Sequence, residues 1–243
     1  WSSTGDMAEA RRGHTATLLQ DGNVLVAGGE ITGGATGSAE LFSPSFGTWS
    51  TASSMSTPRT GHSAVLLDDG RVLITGGASF AGTISAAEVY DPSSGMWASA
   101  GTMASPRTGH GALKLDDGKI LIAGGQALLL SPLQTLDSAE IYDPTTGLWS
   151  PAGVMAESRS FATVTLLGDG RVLIVGGRDK VALQSVEVFD PSTLGWSLVQ
   201  GLADVRRSHT ATLLPDGSIL IAGGRDDAGR LSTVEIYELQ QVE

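Results

Sequence analysis

Four histidines, His14, His62, His110 and His209, occupy one position of a recurring pattern, with Ala162 at its fourth occurrence. Imidazoles brought together around an axis could ligate a metal. A residue type repeated at almost every strand start more simply satisfies the backbone there, so no metal is expected. Five arginines, Arg11, Arg59, Arg107, Arg159 and Arg206, recur in step with five glutamates, Glu40, Glu88, Glu140, Glu187 and Glu235. Five and five point to a repeated buried pair in which a planar guanidinium locks against a carboxylate as part of the scaffold. The chain has no cysteine, which excludes disulfides, thiolate nucleophiles and cysteine metal sites. Gly-x-Ser-x-Gly, P-loop and His-Glu-x-x-His motifs are absent. The expectation is a protein with no catalytic residues and no cofactor. Carboxylates converging from different repeats, as in a glycosidase or an epimerase, stay open as a distant reading.

The elements that must position these residues are themselves repeated. Gly-Gly pairs fall at Gly28-Gly29, Gly76-Gly77, Gly124-Gly125, Gly176-Gly177 and Gly223-Gly224, and tryptophans at Trp1, Trp49, Trp97, Trp149 and Trp196. Both series step by 48, 48, 52 and 47, and every tryptophan lies 27 residues before the next pair. All length variation is therefore confined to the segment between a Gly-Gly and the following Trp. One part of the unit is fixed geometry.

A period near fifty with these markers predicts an all-β chain of four-stranded antiparallel blades. In the second repeat the first strand is Gly61 to Leu67, and the turn after it is Asp69-Gly70, with Asp-Gly at the same place in the other four repeats. Asp-Gly is read as a type I′ hairpin. The second strand, Arg71 to Thr75, is apolar at successive positions, as a strand covered on both faces should be. The third is Ala87 to Tyr90, after which an Asp-Pro turn follows in three repeats. The fourth starts at the Trp, whose ring is expected to wedge between adjacent blades. The whole chain reads as a single domain with blades at 7–53, 55–101, 103–153, 155–200 and 202–243, the last completed by residues 1–5 beside Val234 to Tyr237. That pairing would close a five-bladed ring and remove an exposed edge.

The 243 residues carry a formal charge of −11 and are 41% hydrophobic. The acidity argues against a nucleic-acid partner, which would require a basic face, and no apolar run is long enough for a membrane span. A first residue of Trp reads as a processed or excised product. An extracellular or cell-surface setting is weakly favoured, and a monomer is expected.

The string Met-x-x-x-Arg-x-Gly-His at Met7 to His14, Met55 to His62 and Met103 to His110, with the Gly-Gly pairs, Glu-x-Tyr/Phe-Asp-Pro and the Trp, resembles the kelch repeat. It resembles it in the bacterial form that is also similar to the propeller domain of galactose oxidase. The resemblance implies a β-propeller, for which six or seven blades are usual. Five is a departure that allows an excised or engineered ring without a ligand. The copper radical chemistry of galactose oxidase needs a Tyr cross-linked to Cys, and the iron-binding spacing of plant thiocyanate-forming kelch proteins, Glu-x-x-x-Asp-x-x-x-His, is missing as well. Neither chemistry carries over.

Specificity must then lie in what differs between repeats. The variable segments are Glu30–Ala39, Ala78–Ala87, Gln126–Ala139, Arg178–Val186 and Arg225–Val234. Glu30 opens the first of them. The third is four residues longer and carries Leu128, Leu129, Leu130 and Leu133, an apolar cluster of the kind that marks a contact site. The fourth and fifth are charged, with Arg178, Asp179 and Lys180, then Arg225, Asp226, Asp227 and Arg230. The resemblance places arginines after the Gly-Gly at the rim of a top face that in peptide-binding kelch domains reaches acidic ligands. Arg12 and Arg207 at the strand entries would add to it. The reading is a binding scaffold for a protein or peptide, the alternative a carbohydrate-binding module of a secreted or surface protein.

Overall fold

The computed structural model describes residues 1–127 and 134–238. Among these every regular element is a strand, and no helix long and apolar enough to cross a membrane occurs. The first sheet comprises Thr15–Leu18, Val24–Ala27, Ala39–Ser43 and Thr48–Ala52, and the second Ser63–Leu66, Val72–Thr75, Ala86–Asp91 and Met96–Thr102. The third holds Gly111–Lys114, Ile120–Ala123, Ser138–Asp143 and Leu148–Val154, and the fourth Thr163–Leu166, Val172–Val175, Val186–Asp190 and Gly195–Val199. The fifth has Thr210–Leu213, Ile219–Ala222 and Val234–Tyr237. Each sheet runs through its strands in chain order and falls within one repeat.

By packing, the described residues form two compact units: 1–108, 127 and 143–149, and 109–126, 134–142 and 150–238. In the first unit the opening strands of the first two sheets lie side by side; in the second unit, those of the third, fourth and fifth do.

The apolar run of each second strand is explained by what covers it. Val172 and Ile174 pack with Leu121 and Ala123 of the third sheet, whereas Leu173 and Val175, pointing the other way, pack with Ile219 and Ile221 of the fifth. Alternate residues thus serve opposite neighbours, so both must be apolar. In the first unit Val72 and Ile74 pack in the same way with Leu25 and Ala27. Each such side chain contributes about 1.5–3 kcal/mol on burial.

The Asp-Gly turns depart from the expected type I′ form. Their glycines have positive φ, 85° at Gly22 and 86° at Gly70, but the aspartates do not. The Gly22 N–H donates to Leu19 O and the Leu19 N–H to Asn23 O, a type I turn followed by a glycine bulge. The aspartate prefers this form because its carboxylate can then accept the N–H two residues on, as Asp69 does from Arg71 at 3.1 Å.

Neighbouring repeats are stitched at the glycine pairs. The second glycine of a pair donates its N–H to the carbonyl of the next repeat's arginine, Gly29 to Arg59, Gly77 to Arg107, Gly125 to Arg159 and Gly177 to Arg206, at 2.8 to 2.9 Å. A Cβ on Gly28 would stand 2.7 Å from the Arg59 carbonyl oxygen, and φ there is +62°, so only glycine fits. The loop that follows is closed at its base by one hydrogen bond to that second glycine's carbonyl. The donor is the N–H of Thr36, Ile84, Leu136, Leu183 or Leu231.

The tryptophans of the first four sheets are partly buried. Each indole N–H donates across to the preceding repeat, Trp97 to Ser53 O at 2.7 Å, Trp149 to Ala100 O and Trp196 to Ala152 O at 2.8 Å. The rings of Trp49, Trp97 and Trp196 tilt against Phe42, Tyr90 and Phe189 with centroids 4.9 to 5.0 Å apart. Trp1, expected in the same wedge, is exposed.

Residues 1–5 hold no strand, and the fifth sheet has three strands among the described residues. The tail is held by Thr4 Oγ1 and the Gly5 N–H, both donating to Gly47 O at 3.0 and 3.1 Å, and by the Trp49 indole donating to Gly5 O at 2.8 Å. Gly5 therefore meets Trp49 as Ser53 meets Trp97, at the place where a preceding repeat's fourth strand ends. Val234 and Ile236, on the last strand of the fifth sheet, are exposed.

Candidate functional site

The recurring Arg and Glu form the rigid frame. Arg11 meets Glu40 at 2.7 Å, Arg59 meets Glu88 at 2.8 Å, and Arg159–Glu187 and Arg206–Glu235 both close to 2.6 Å, with no exposure of any of the four guanidinium side chains. Arg107 and Glu140 are likewise buried. In each of the four, Nη1 donates to two backbone carbonyls, for Arg159 those of Gly176 and Ser185. The glutamates also accept backbone N–H groups of the segment leading into the arginine, Ala156 and Glu157 for Glu187. One ion pair thus ties a strand entry, a glycine pair and a third strand together. Burial pulls the Arg59 guanidinium below its ordinary pKa despite Glu88. Burial alone would raise the Glu235 carboxyl, yet the N–H of Ala203, Arg206 and the N–H of Asp204 together hold it below the usual value.

The histidines at the strand starts face threonines of the preceding repeat. His62 Nε2 lies 3.0 Å from Thr15 Oγ1 and His209 Nε2 2.8 Å from Thr163 Oγ1. Burial, then the charge of Arg59, pushes His62 down to about 3; burial, then Arg206, pushes His209 down to about 4. These rings are neutral at ordinary pH, and their hydrogen bonds are to the scaffold.

The charged loops divide into residues that build the loop and residues left over. Asp226 Oδ1 accepts the N–H groups of Ala228 and Gly229, and Asp227 Oδ2 accepts that of Ala182, tying the fifth loop to the fourth. These two of the carboxylates nominated for binding thus shape the loops. Glu30 and Arg12, in the first unit, hold each other bidentately at 2.8 and 3.1 Å, which lowers the Glu30 pKa. Lys180 is exposed and Asp179 half-buried. Leu128, Leu129, Leu130 and Leu133 lie outside the described residues.

The arginines of the second unit are different. Arg178, Arg207, Arg225 and Arg230 make no ion pair among the described residues, although most other arginines do. Backbone bridges bring them together: Arg207 and Arg225 exchange two hydrogen bonds of 3.0 Å, Ser160 and Arg178 two of 2.8 Å, and Arg225 bridges Arg230. Arg207 is lowered in pKa by burial first and then by the charges of Arg225 and Arg178, with Asp227 opposing. The Nε atoms of Arg178 and Arg207 are buried without a hydrogen-bond partner. The frame arginines Arg11, Arg159 and Arg206 share that feature, so it does not mark a ligand site; it is the three like charges held close that make an arrangement complementary to an anion.

The sequence reading missed Phe161. It follows Ser160 where the first three repeats have Gly13, Gly61 and Gly109, and it adopts the same left-handed backbone, φ 56° against 62° to 63°. Its N–H donates to Gly109 O at 2.8 Å and its carbonyl accepts from Ser208 at 2.9 Å. The available signal was a phenylalanine at the glycine position of the motif, beside Ala162 at the histidine position.

No curated protein matches this chain in sequence. In structure it is similar to the solved protein titled "Structure of YjhT", with a TM-score of 0.74 at 16% identity over 94% of this chain and 84% of that one. The kelch motif model matches residues 11–56, 106–155 and 159–202, more than half of the sequence. With its repeated glycine pairs, interleaved Arg–Glu pairs and five successive antiparallel sheets, the chain belongs to the kelch-motif family and has the all-β, five-bladed propeller fold.

Proposed function

We propose that this protein is a non-catalytic binding scaffold whose fourth and fifth loops hold an acidic segment of a protein or peptide partner. The kelch fold supports a binding role in general. The observation that carries the finer reading is the group of arginines at 178, 207 and 225, which closes no ion pair among the described residues, Asp227 acting on Arg207 only at longer range. Each guanidinium presents N–H groups in a fixed fork matched to carboxylate oxygens. The loop aspartates keep the group in place without neutralising it.

The test is fluorescence anisotropy with a labelled hexaglutamate peptide. Saturable binding should weaken with added salt and fall by about tenfold or more when Arg207 and Arg225 are both changed to Ala. Arg171→Ala, in a hairpin turn whose pair is Asp169, should leave it unchanged. Failure of hexaglutamate to bind, with capture of neutral saccharides on a glycan array, would replace this reading with carbohydrate recognition.

A further inference from the structure

Phe161 occupies a backbone position that suits glycine. A bulky residue in the left-handed region is an outlier, maintained only where its surroundings hold it, and such outliers gather at ligand sites. The surroundings here are specific. Ser160, one residue before, is bonded at both backbone groups to Arg178, and the Phe161 carbonyl accepts from Ser208, the neighbour of Arg207. The backbone of Phe161 is therefore linked on one side through Ser160 to Arg178 and on the other to Ser208, the residue after Arg207. Its ring reaches Gly109, whose added Cβ would lie 2.7 Å from Phe161 Cε1, and it remains 37% exposed. In a repeat protein with glycine at three of the five equivalent positions, the relaxed backbone solution is already in use. A partly exposed aromatic kept in a strained place does not serve burial alone.

Resting on the acidic-segment reading above, we infer that Phe161 is a specificity-determining residue: it forms the apolar wall of the arginine site and selects acidic segments that carry an aromatic side chain among their carboxylates. The arginines bind the acids and set affinity in bulk. The ring discriminates among acidic sequences by packing against the aromatic one.

The experiment compares a labelled pentapeptide of four glutamates around a central phenylalanine with the same peptide carrying a central serine. The wild-type protein should favour the phenylalanine peptide by about three- to tenfold. Phe161→Gly and Phe161→Asn, both suited to the left-handed backbone, should abolish that preference, keep the affinity for the serine peptide and leave the melting temperature unchanged or higher. Equal wild-type binding of the two peptides overturns the inference and leaves the acidic-segment reading intact; loss of both peptides in the wild type overturns that reading as well. A preference that survives in both variants, or a melting temperature lowered in both as by a core truncation, shows the ring to be packing on Gly109 and overturns the inference.

Discussion

Replacing Arg159 by Ala is the most direct test of how the scaffold is held. In the native structure Nη2 sits 2.6 Å from Glu187 Oε1, and neither side chain has any exposure. The variant leaves a carboxylate in the interior with only the N–H groups of Ala156 and Glu157 for company, and it strips donors from the carbonyls of Gly176 and Ser185. An uncompensated buried charge of this kind costs about 3–5 kcal/mol. For a chain of this size that corresponds to a fall in melting temperature of roughly 6–20 °C. The contrast is Arg171→Ala. Its partner Asp169 lies at a nearly identical 2.7 Å, but the pair is 40% and 48% exposed, so about 0–1 kcal/mol is expected. Urea unfolding of both variants decides the matter, since distance is matched and only burial differs. A double variant, Arg159→Met with Glu187→Leu, should recover much of the loss because it removes both charges. An Arg159→Ala midpoint within about 1 kcal/mol of wild type at unchanged m-value would refute the reasoning.

Three further outcomes follow from the same framework. Because the His62 and His209 rings are held neutral, with pKa about 3 and about 4, the unfolded chain takes up protons that the folded chain refuses once pH drops below about 6.5. Stability should be constant with respect to these groups above that value and decline toward pH 3 to 4 by at most about 1.4 kcal/mol per unit per ring; denaturation of His62→Gln across this window should show a shallower slope. Trp97→Phe keeps most of the ring packing but removes the donor to Ser53 O, and calorimetry should register a loss of about 1 kcal/mol. Gly29→Ala places a methyl 2.8 Å from Arg12 O at φ +100°, so thermal unfolding should show one of the largest single-residue losses outside the core, about 2 kcal/mol or more.

The sheet order could be read directly from the chain because the spacing from Trp to Gly-Gly never varies, and a strand with a constant partner has a constant register. The repeat-wide Arg and Glu were legible for the same reason. What escaped were features set by a single repeat. The Asp-Gly turns took the bulged form because an aspartate carboxylate gains a backbone donor that way, a preference the dipeptide does not reveal. The loop charges looked alike as letters, yet Asp226 became a turn cap, Asp227 tied the fifth loop to the fourth and Glu30 folded onto Arg12, whereas Arg178, Arg207 and Arg225 closed no ion pair among the described residues. Phe161 was invisible to a search for repetition because its interest lies in breaking the repeat.

The hydrogen bond onto the second glycine's carbonyl at the base of each loop has a practical consequence for engineering. The same two backbone groups meet at 2.9 Å whether six residues lie between them, as at Gly29 and Thr36, or ten, as at Gly125 and Leu136. Such a junction is a socket indifferent to its insert, and lengthening an insert adds only about 0.6 kcal/mol per doubling. Foreign recognition sequences could therefore be grafted one loop at a time, leaving the stitching between repeats as it is.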